Sequence, residues 1–350
     1  MRIGLYGMPS SGKTYILDRI DFIEVLAGSK LLRRMDPDFD LKDKVGREQT
    51  RKIMADSLFA KNDFIMDGHY AFGDELAFTE EDGKLYDAFL YLYSDPDLLR
   101  SRIKVSEKNQ RYLTYDLASW QQKEISGLRD YCHIHNKDFY VLDNPPSNDH
   151  SEPEVILDFI KDIVGGYSCA AYAKRCVQTI LATCNGKTVF LLDGDKTLTF
   201  EDSSNAVFGY KTHLFDGNFY TGYQRWKQER EFKEYTIPNI QTLPVHLNET
   251  VLSAITGPAY ILTSGHERIW EFISKSLNMP CFCGVDMSAE TKLYITKTLQ
   301  DNNLSVIAYG DSMNDYYMLK QADHGFLVKK PNGSISRSLK GKNLEGLTII

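Results

Sequence analysis

Cysteine is scarce: Cys132, Cys169, Cys176, Cys184, Cys281 and Cys283 are scattered over 350 positions. No CxxC pair has zinc spacing, and Cys281-Phe282-Cys283 lies in an apolar stretch, so the pattern indicates neither a disulfide framework nor a zinc site. Cys132-His133-Ile134-His135 has no partner cluster and reads as the end of a helix. No apolar run approaches the ~20 residues needed to cross a bilayer. The opening MRIGLYGMPSSGKT lacks the long apolar core of a signal peptide. A cytoplasmic protein with no membrane partner is therefore expected. Positive charge is not in excess, with 41 Lys and Arg against 48 Asp and Glu and a net charge of −7. That balance gives no overall electrostatic footprint for nucleic acid, although it leaves room for a local basic groove. Repeats of solenoid period are also missing.

What is present suits two soluble domains. The chain is 42% hydrophobic, 25% charged and 12% aromatic, and its length favours two separate cores. Short β-rich runs alternate with helical patterns almost from end to end, which predicts an α/β fold class with parallel sheets covered by helices. The runs are RIGLY (2–6), FIEVL (22–26), DFIMD (63–67), AFLYLY (88–93) and DFYVL (138–142) in the first half. TVFLLD (188–193), AYILT (259–263), CFCGV (281–285), LSVIAYG (304–310) and HGFLV (324–328) follow in the second. The proline-rich NPPSNDHSEPE (144–154) marks a break. EVILDFIKDIV then has helical spacing and is expected to pack back on the first domain. Gly165-Gly166 reads as the hinge, giving domains 1–165 and 166–350.

Gly7-Met8-Pro9-Ser10-Ser11-Gly12-Lys13-Thr14 fits GxxxxGK[ST], follows a short apolar strand and opens a helical stretch, YILDRIDFI. That context defines a phosphate loop. Its glycines let backbone N–H groups turn inward around phosphates, Lys13 reaches the terminal phosphates, and Thr14 ligates Mg²⁺. Around this loop the chain resembles the adenylate-kinase-like group of P-loop phosphotransferases. VLAGSKLLRR (25–34) is similar to their acceptor-binding segment, which offers an arginine such as Arg33. FIMDGHY (64–70) is similar to their third strand. The resemblance implies ATP as cofactor and gives Asp67 the task of organising magnesium or the acceptor hydroxyl. DPDLLRSRIKVSEKNQR (95–111) resembles the arginine-bearing helix and lid, making Arg102 and Arg111 candidates for closing over the transferred phosphoryl group. Arg47 is a further candidate, with a solvated surface arginine as its alternative.

In VFLLDGDKTLT a strand that reads as buried ends on two carboxylates, Asp193 and Asp195, which would repel each other without a cation or a shared proton. Four elements in order resemble the haloacid dehalogenase superfamily: Asp193-Gly194-Asp195-Lys196-Thr197-Leu198; Tyr260-Ile261-Leu262-Thr263; Lys292 before LYITKTLQ; and Gly310-Asp311-Ser312-Met313-Asn314-Asp315. The resemblance implies a Rossmann-like phosphatase domain with Mg²⁺ held by Asp193, Asp195 (through its carbonyl) and Asp311, with Asp315 in support. It implies Asp193 as nucleophile and Asp195 as acid and base. Thr263 and Lys292 would hold the phosphoryl oxygens, with Lys297 the fallback for Lys292. Lys196 stands where glycine is frequent and is expected to face solvent; His266 reads as a surface loop residue.

Residues of about 200–258 carry helical spacing and resemble a small helical cap, with Asp202, Ser203 and Ser204 placed to line its entrance. Arg225, Lys227, Arg230 and Lys233 alternate with Glu229, Glu231 and Glu234, which predicts a solvated helix face. The combined reading is a bifunctional kinase and phosphatase acting on a small phosphorylated metabolite, a nucleotide or sugar phosphate. Two alternatives are polynucleotide kinase-phosphatase end repair, and a phosphatase governed by a P-loop nucleotide sensor. Nucleic acid is the less favoured partner, because Gly28-Ser29-Lys30 stands where end-repair kinases carry an acidic base.

Overall fold

The structure is a computed structural model that describes residues 1–143, 152–209, 219–233, 236, 240 and 242–350. The chain divides into two compact units, Met1–Tyr167 and Ser168–Ile350, beside the hinge expected at 165/166. Residues 144–151 of the proline-rich break lie outside the described residues.

In the first unit the strands β1 (Arg2–Tyr6), β2 (Glu24–Leu26) and β3 (Phe64–Asp67) precede a short antiparallel hairpin, β4 (Ala71–Phe72) with β5 (Glu75–Leu76). β6 (Ala88–Tyr93) and β7 (Asp138–Asp143) complete the unit. The main sheet is fully parallel in the order β2-β3-β1-β6-β7. β1 and β6 are almost wholly buried, as strands covered on both faces must be. The helix Pro153–Val164 buries Ile156, Phe159, Ile160 and Ile163, and Phe159 meets Tyr140 of β7 edge-on at 5.1 Å. The helix after the phosphate loop covers only Lys13–Leu17, shorter than YILDRIDFI suggested. A main-chain N–H from Ile20 to the Leu17 carbonyl tightens the turn there, and the chain then straightens into β2.

The second unit has a six-stranded parallel sheet, formed by β8 (Thr188–Leu192), β9 (Ala259–Thr263), β10 (Cys281–Cys283), β11 (Ser305–Gly310), β12 (His324–Leu327) and β13 (Thr348–Ile349). Its order is β10-β9-β8-β11-β12-β13. Alternate residues of β8 enter different cores. Val189 and Leu191 pack in one with the helices Cys169–Thr183 and Ala289–Asp301; Phe190 and Leu192 pack in the other with Glu267–Leu277. That alternation is the period-2 geometry of a strand buried on both faces, and it makes a three-layer α/β unit. The strand order reverses between β8 and β11, and open parallel sheets bind ligands outside the carboxyl ends at such a switch.

Of the expected cap, the described residues include the helices Ser203–Phe208, Gly222–Phe232 and Glu249–Ser253. Residues 210–218, 234–235, 237–239 and 241, Glu234 among them, lie outside the description. No helix among the described residues is long and apolar enough to cross a membrane, and all six cysteines are free thiols.

Candidate active sites

In the first unit, β1 delivers the loop Gly7–Thr14 to the carboxyl edge of the sheet. Gly7, Ser10 and Gly12 all have positive φ (149°, 65° and 106°), the backbone pattern that turns successive N–H groups into an anion-binding concavity. Gly7 is required sterically, since a Cβ there would lie 2.8 Å from the Leu92 carbonyl oxygen. Lys13 Nζ folds back on the loop, donating to the carbonyls of Gly7 (2.5 Å) and Met8 (3.2 Å). Burial lowers its pKa to about 8, while the charges of Glu124 and Asp67 work in the opposite direction. Because the following helix has only five residues, any capacity of this turn to hold an anion lies chiefly in the loop's own N–H groups.

A cavity of roughly 1080 Å³ opens from this loop, and Ser10, Ser11, Gly12, Lys13, Thr14 and Asp67 all line it. Asp67 accepts from the Gly28 N–H at 2.7 Å, tying the end of β3 to the segment after β2. Arg33, Arg47 and Arg111 also face the cavity. Arg33 pairs with Asp40 and Arg47 with Glu75, while Arg111 donates to the Tyr112 hydroxyl at 2.7 Å. Arg102 does not line the cavity; its guanidinium donates to the Ser11 carbonyl at 3.2 Å and so braces the loop from outside.

Two lining residues escaped the sequence reading. Arg51 lies one helical turn after Arg47 on Lys44–Leu58, a spacing that puts both on one face. His69 follows Asp67-Gly68, stacks on Phe72 of the hairpin at 4.8 Å, and leaves Nδ1 buried without a partner. Burial, helped by Lys13 and Arg51, holds its pKa well below the ordinary value, so it is neutral near pH 7.

In the second unit, the four motif elements converge at the carboxyl ends of β8, β9 and β11. Lys292, fully buried on Ala289–Asp301, donates to Asp193 Oδ1 at 2.6 Å and to Asp315 Oδ1 at 2.7 Å. Asp315 Oδ2 accepts from the N–H groups of Asp311 and Ser312 and from the Ser312 hydroxyl, each at 3.1 Å. Asp193 Oδ2 takes a 3.2 Å bond from Thr197. Asp195 Oδ1 accepts from the Ser203 N–H at 2.8 Å, and Thr263 Oγ1 from the Gly265 N–H at 3.0 Å.

The electrostatics answer the question raised by the paired carboxylates. Burial and the neighbouring Asp315 push Asp193 up to about 7, although Lys292 pulls the other way. Asp195 is raised to about 6 by burial and by Asp202. Asp311 is raised well above its usual range by burial, Asp315 and Asp193. Burial alone would lower Lys292, yet Asp193 and Asp315 outweigh it and raise its pKa. Lys292 and, for Asp195 and Asp311, Lys196 offset only part of this repulsion, so the cluster stays short of positive charge. Oxygens of Asp193, Asp311 and Asp315 lie within 4.8 Å of one another. A hard, all-oxygen donor set with surplus negative charge fits Mg²⁺.

A cavity of roughly 450 Å³ lies over these groups, lined by Asp193, Asp195, Thr263 and Asp311 and walled by Tyr220 and Gln228 from the insertion. Three expectations change here. Lys196, at φ 62°, is not simply solvent-facing: it pairs with Asp202 at 2.8 Å and lines the cavity. Arg225 is not on a solvated face, because the first two turns of its helix are buried and it pairs inside with Glu229. Of Asp202, Ser203 and Ser204, the first and third line the cavity, while Ser203 serves Asp195 through its backbone. His266 caps the helix Glu267–Leu277 and is absent from the cavity wall. The sequence reading missed Lys330 and Arg337, which reach the cavity from the loop after β12; their signal was position, just past a carboxyl strand end.

No protein-family model and no curated protein matches the chain. Among solved structures, it is similar to shikimate kinase from Bacteroides thetaiotaomicron, with 12% identity and a TM-score of 0.34, over 47% of this chain and 98% of that one. It is also similar to a HAD-family hydrolase from Salmonella enterica serovar Typhi, with 15% identity and a TM-score of 0.31, over 51% of this chain and 75% of that one. A phospho-aspartyl intermediate analogue of phosphoserine phosphatase is similar at 15% identity and a TM-score of 0.29, over 41% and 87%. At such scores the likeness carries no functional weight.

Proposed function

We propose that the chain is a bifunctional enzyme: a Mg²⁺-dependent phosphomonoesterase in the second unit and an ATP-dependent phosphotransferase in the first, both acting on small phosphorylated metabolites. The observation that carries the reading is the buried Lys292 bridging Asp193 and Asp315, with Asp195 and Asp311 beside them. A buried cluster of like charges is costly to stability, which favours a chemical use for it.

Asp193, Asp311 and Asp315 would hold Mg²⁺, which when bound neutralises carboxylate and phosphoryl charge. A carboxylate oxygen of Asp193 attacks phosphorus; the ester P–O bond breaks and an aspartyl phosphate forms. Asp195, raised to about 6, gives its proton to the leaving oxygen. It then takes a proton from the water whose oxygen displaces Asp193 from phosphorus. Lys292 keeps the Asp193 carboxylate oriented, and Thr263 supplies a hydroxyl to the phosphoryl oxygens. In the first unit the loop N–H groups and Lys13 would cradle the ATP phosphates, Thr14 would meet Mg²⁺, and Asp67 would orient the acceptor hydroxyl.

The test is hydrolysis of 4-nitrophenyl phosphate with Mg²⁺ by the wild type and by Asp193→Asn. The variant should keep its fold and lose nearly all turnover, because both steps use the same oxygen. Retention of more than a few per cent of the rate sinks the mechanism.

A further inference from the structure

The cavity over Asp193 has a second polar end that hydrolysis of a simple phosphomonoester does not use. Three cations line it: Lys196, Lys330 and Arg337. Lys196 is neutralised by Asp202 at 2.8 Å, whereas neither Lys330 nor Arg337 has a carboxylate within 4.0 Å among the described residues. Both come from the segment between β12 and β13, and that segment is pinned. Ser338 Oγ accepts from the Met313 N–H at 3.0 Å, Ser336 and Ser338 share a 3.0 Å hydrogen bond, and Leu339 is buried. Met313 begins the helix that follows Asp311 and Ser312, so this anchor fixes the basic loop to the nucleophile cluster. On the insertion side Gln228, only 5% exposed, lines the same cavity with its amide oxygen buried and without a hydrogen-bond partner.

An unpaired buried amide oxygen costs free energy unless a ligand supplies a donor, and two unpaired cations on a pocket wall attract an anion. The volume, roughly 450 Å³, matches a small metabolite, since ligand pockets run from about 300 to 1,000 Å³. We propose that the phosphatase substrate is a small ester with two separate anionic groups: one phosphoryl group at Asp193, a second phosphate or carboxylate at Lys330 and Arg337, and a hydroxyl facing Gln228. This rests on the phosphatase reading above and narrows its substrate class to bisphosphates and phosphorylated hydroxy acids. Four carboxylates on the remaining wall make the basic pair the one place where a second anion is welcome.

The experiment uses the intact protein with Mg²⁺ and matched probes. These are fructose 1,6-bisphosphate against fructose 6-phosphate, adenosine 3′,5′-bisphosphate against the 3′-monophosphate, and 3-phosphoglycerate against glycerol 3-phosphate. 4-Nitrophenyl phosphate is the common reference. At least one member with a second anionic group should be preferred in kcat/KM over its singly phosphorylated partner by about tenfold or more, as expected for charge-assisted hydrogen bonds. Arg337→Ala and Lys330→Ala should each erode that preference several-fold, mainly through KM, and Arg337→Lys should restore part of it. Equal losses on paired probes would assign the loop a structural role and overturn the proposal. So would the lack of any preference in a protein that turns over the reference ester. Failure on the reference ester would instead refute the phosphatase reading itself. Preferred hydrolysis of a 3′-phosphorylated oligonucleotide, falling steeply with salt, would overturn the small-molecule commitment, since that slope marks a backbone-tracking site.

Discussion

Lys13, which we propose to meet the ATP phosphates, shows what burying an ammonium costs a resting protein. Its amine is buried and its pKa is lowered from 10.5 to about 8 by that burial. Below about pH 8 the folded and unfolded chains both carry the proton, and the folded state bears the full penalty of a desolvated ammonium. Between about 8 and 10.5 the unfolded chain binds more protons than the folded one, so this residue's contribution makes stability rise with pH. Lys13→Met removes that dependence. The variant's stability relative to wild type should therefore be most favourable at pH 7 and decline by about 2–3 kcal/mol towards pH 10, read from denaturant melts without nucleotide. A relative stability independent of pH over that range contradicts the assigned burial. Adding ATP and Mg²⁺ should stabilise the wild type and leave Lys13→Met unmoved, because ligand linkage needs the bound state.

At the scale of elements, the turn from β11 into Met313–Gln321 sets two aspartates to opposite tasks. Asp315 receives four donors: Lys292, two N–H groups and a hydroxyl. Asp311 shares the cluster but raises its repulsion, and its own pKa rises with burial and with Asp315 and Asp193. In EDTA, Asp315→Ala should cost about 3–5 kcal/mol, because it removes one of the two carboxylates that hold the buried ammonium and leaves two N–H groups and a hydroxyl without their acceptor. Asp311→Asn should be neutral or stabilising, while both variants lose Mg²⁺-dependent hydrolysis. Thermal melts with and without Mg²⁺ decide the matter, and comparable destabilisation by the two would contradict the division of roles. Asp193 and Asp195 stood out in the sequence because a buried strand ending on carboxylates is chemically anomalous, whereas Asp311 and Asp315 stood out through the resemblance of Gly310–Asp315 to a family motif. The long strands were legible for the related reason that runs such as AFLYLY have no solvent face. The two-residue strands β4, β5 and β13 were not, since Ala71–Phe72 and Thr348–Ile349 are too short to show any period. Arg225 misled for a different reason: charge alternation along a helix suggests a wet face, but packing of its insertion put Tyr223, Arg225 and Trp226 inside. Lys330 and Arg337 carry no motif; only the strand order brings their loop to Asp193.

For the whole molecule, a kinase and a phosphatase on one chain cannot sensibly act on the same bond, because the net result would be hydrolysis of ATP. They must address different positions or successive intermediates, or one unit must control the other. The two units have separate sheets and separate cavities, each lined by residues of its own unit only. The bifunctional reading therefore expects separable activities. Lys13→Ala should lower ATP-dependent phosphoryl transfer about 100-fold or more, by removing charge from the terminal phosphates. It should hold hydrolysis of 4-nitrophenyl phosphate within about twofold of wild type, with or without ATP. Asp193→Asn should do the reverse. If Lys13→Ala instead slows both reactions in a protein with an unchanged melting temperature, nucleotide occupancy gates the phosphatase and the first unit is a sensor. The same experiment has a positive sign for that alternative: ATP would then change the wild-type phosphatase rate at saturating Mg²⁺, with no phosphorylated acceptor formed. A rate that ignores ATP, alongside transfer to an acceptor abolished by Lys13→Ala, leaves two catalysts on one chain.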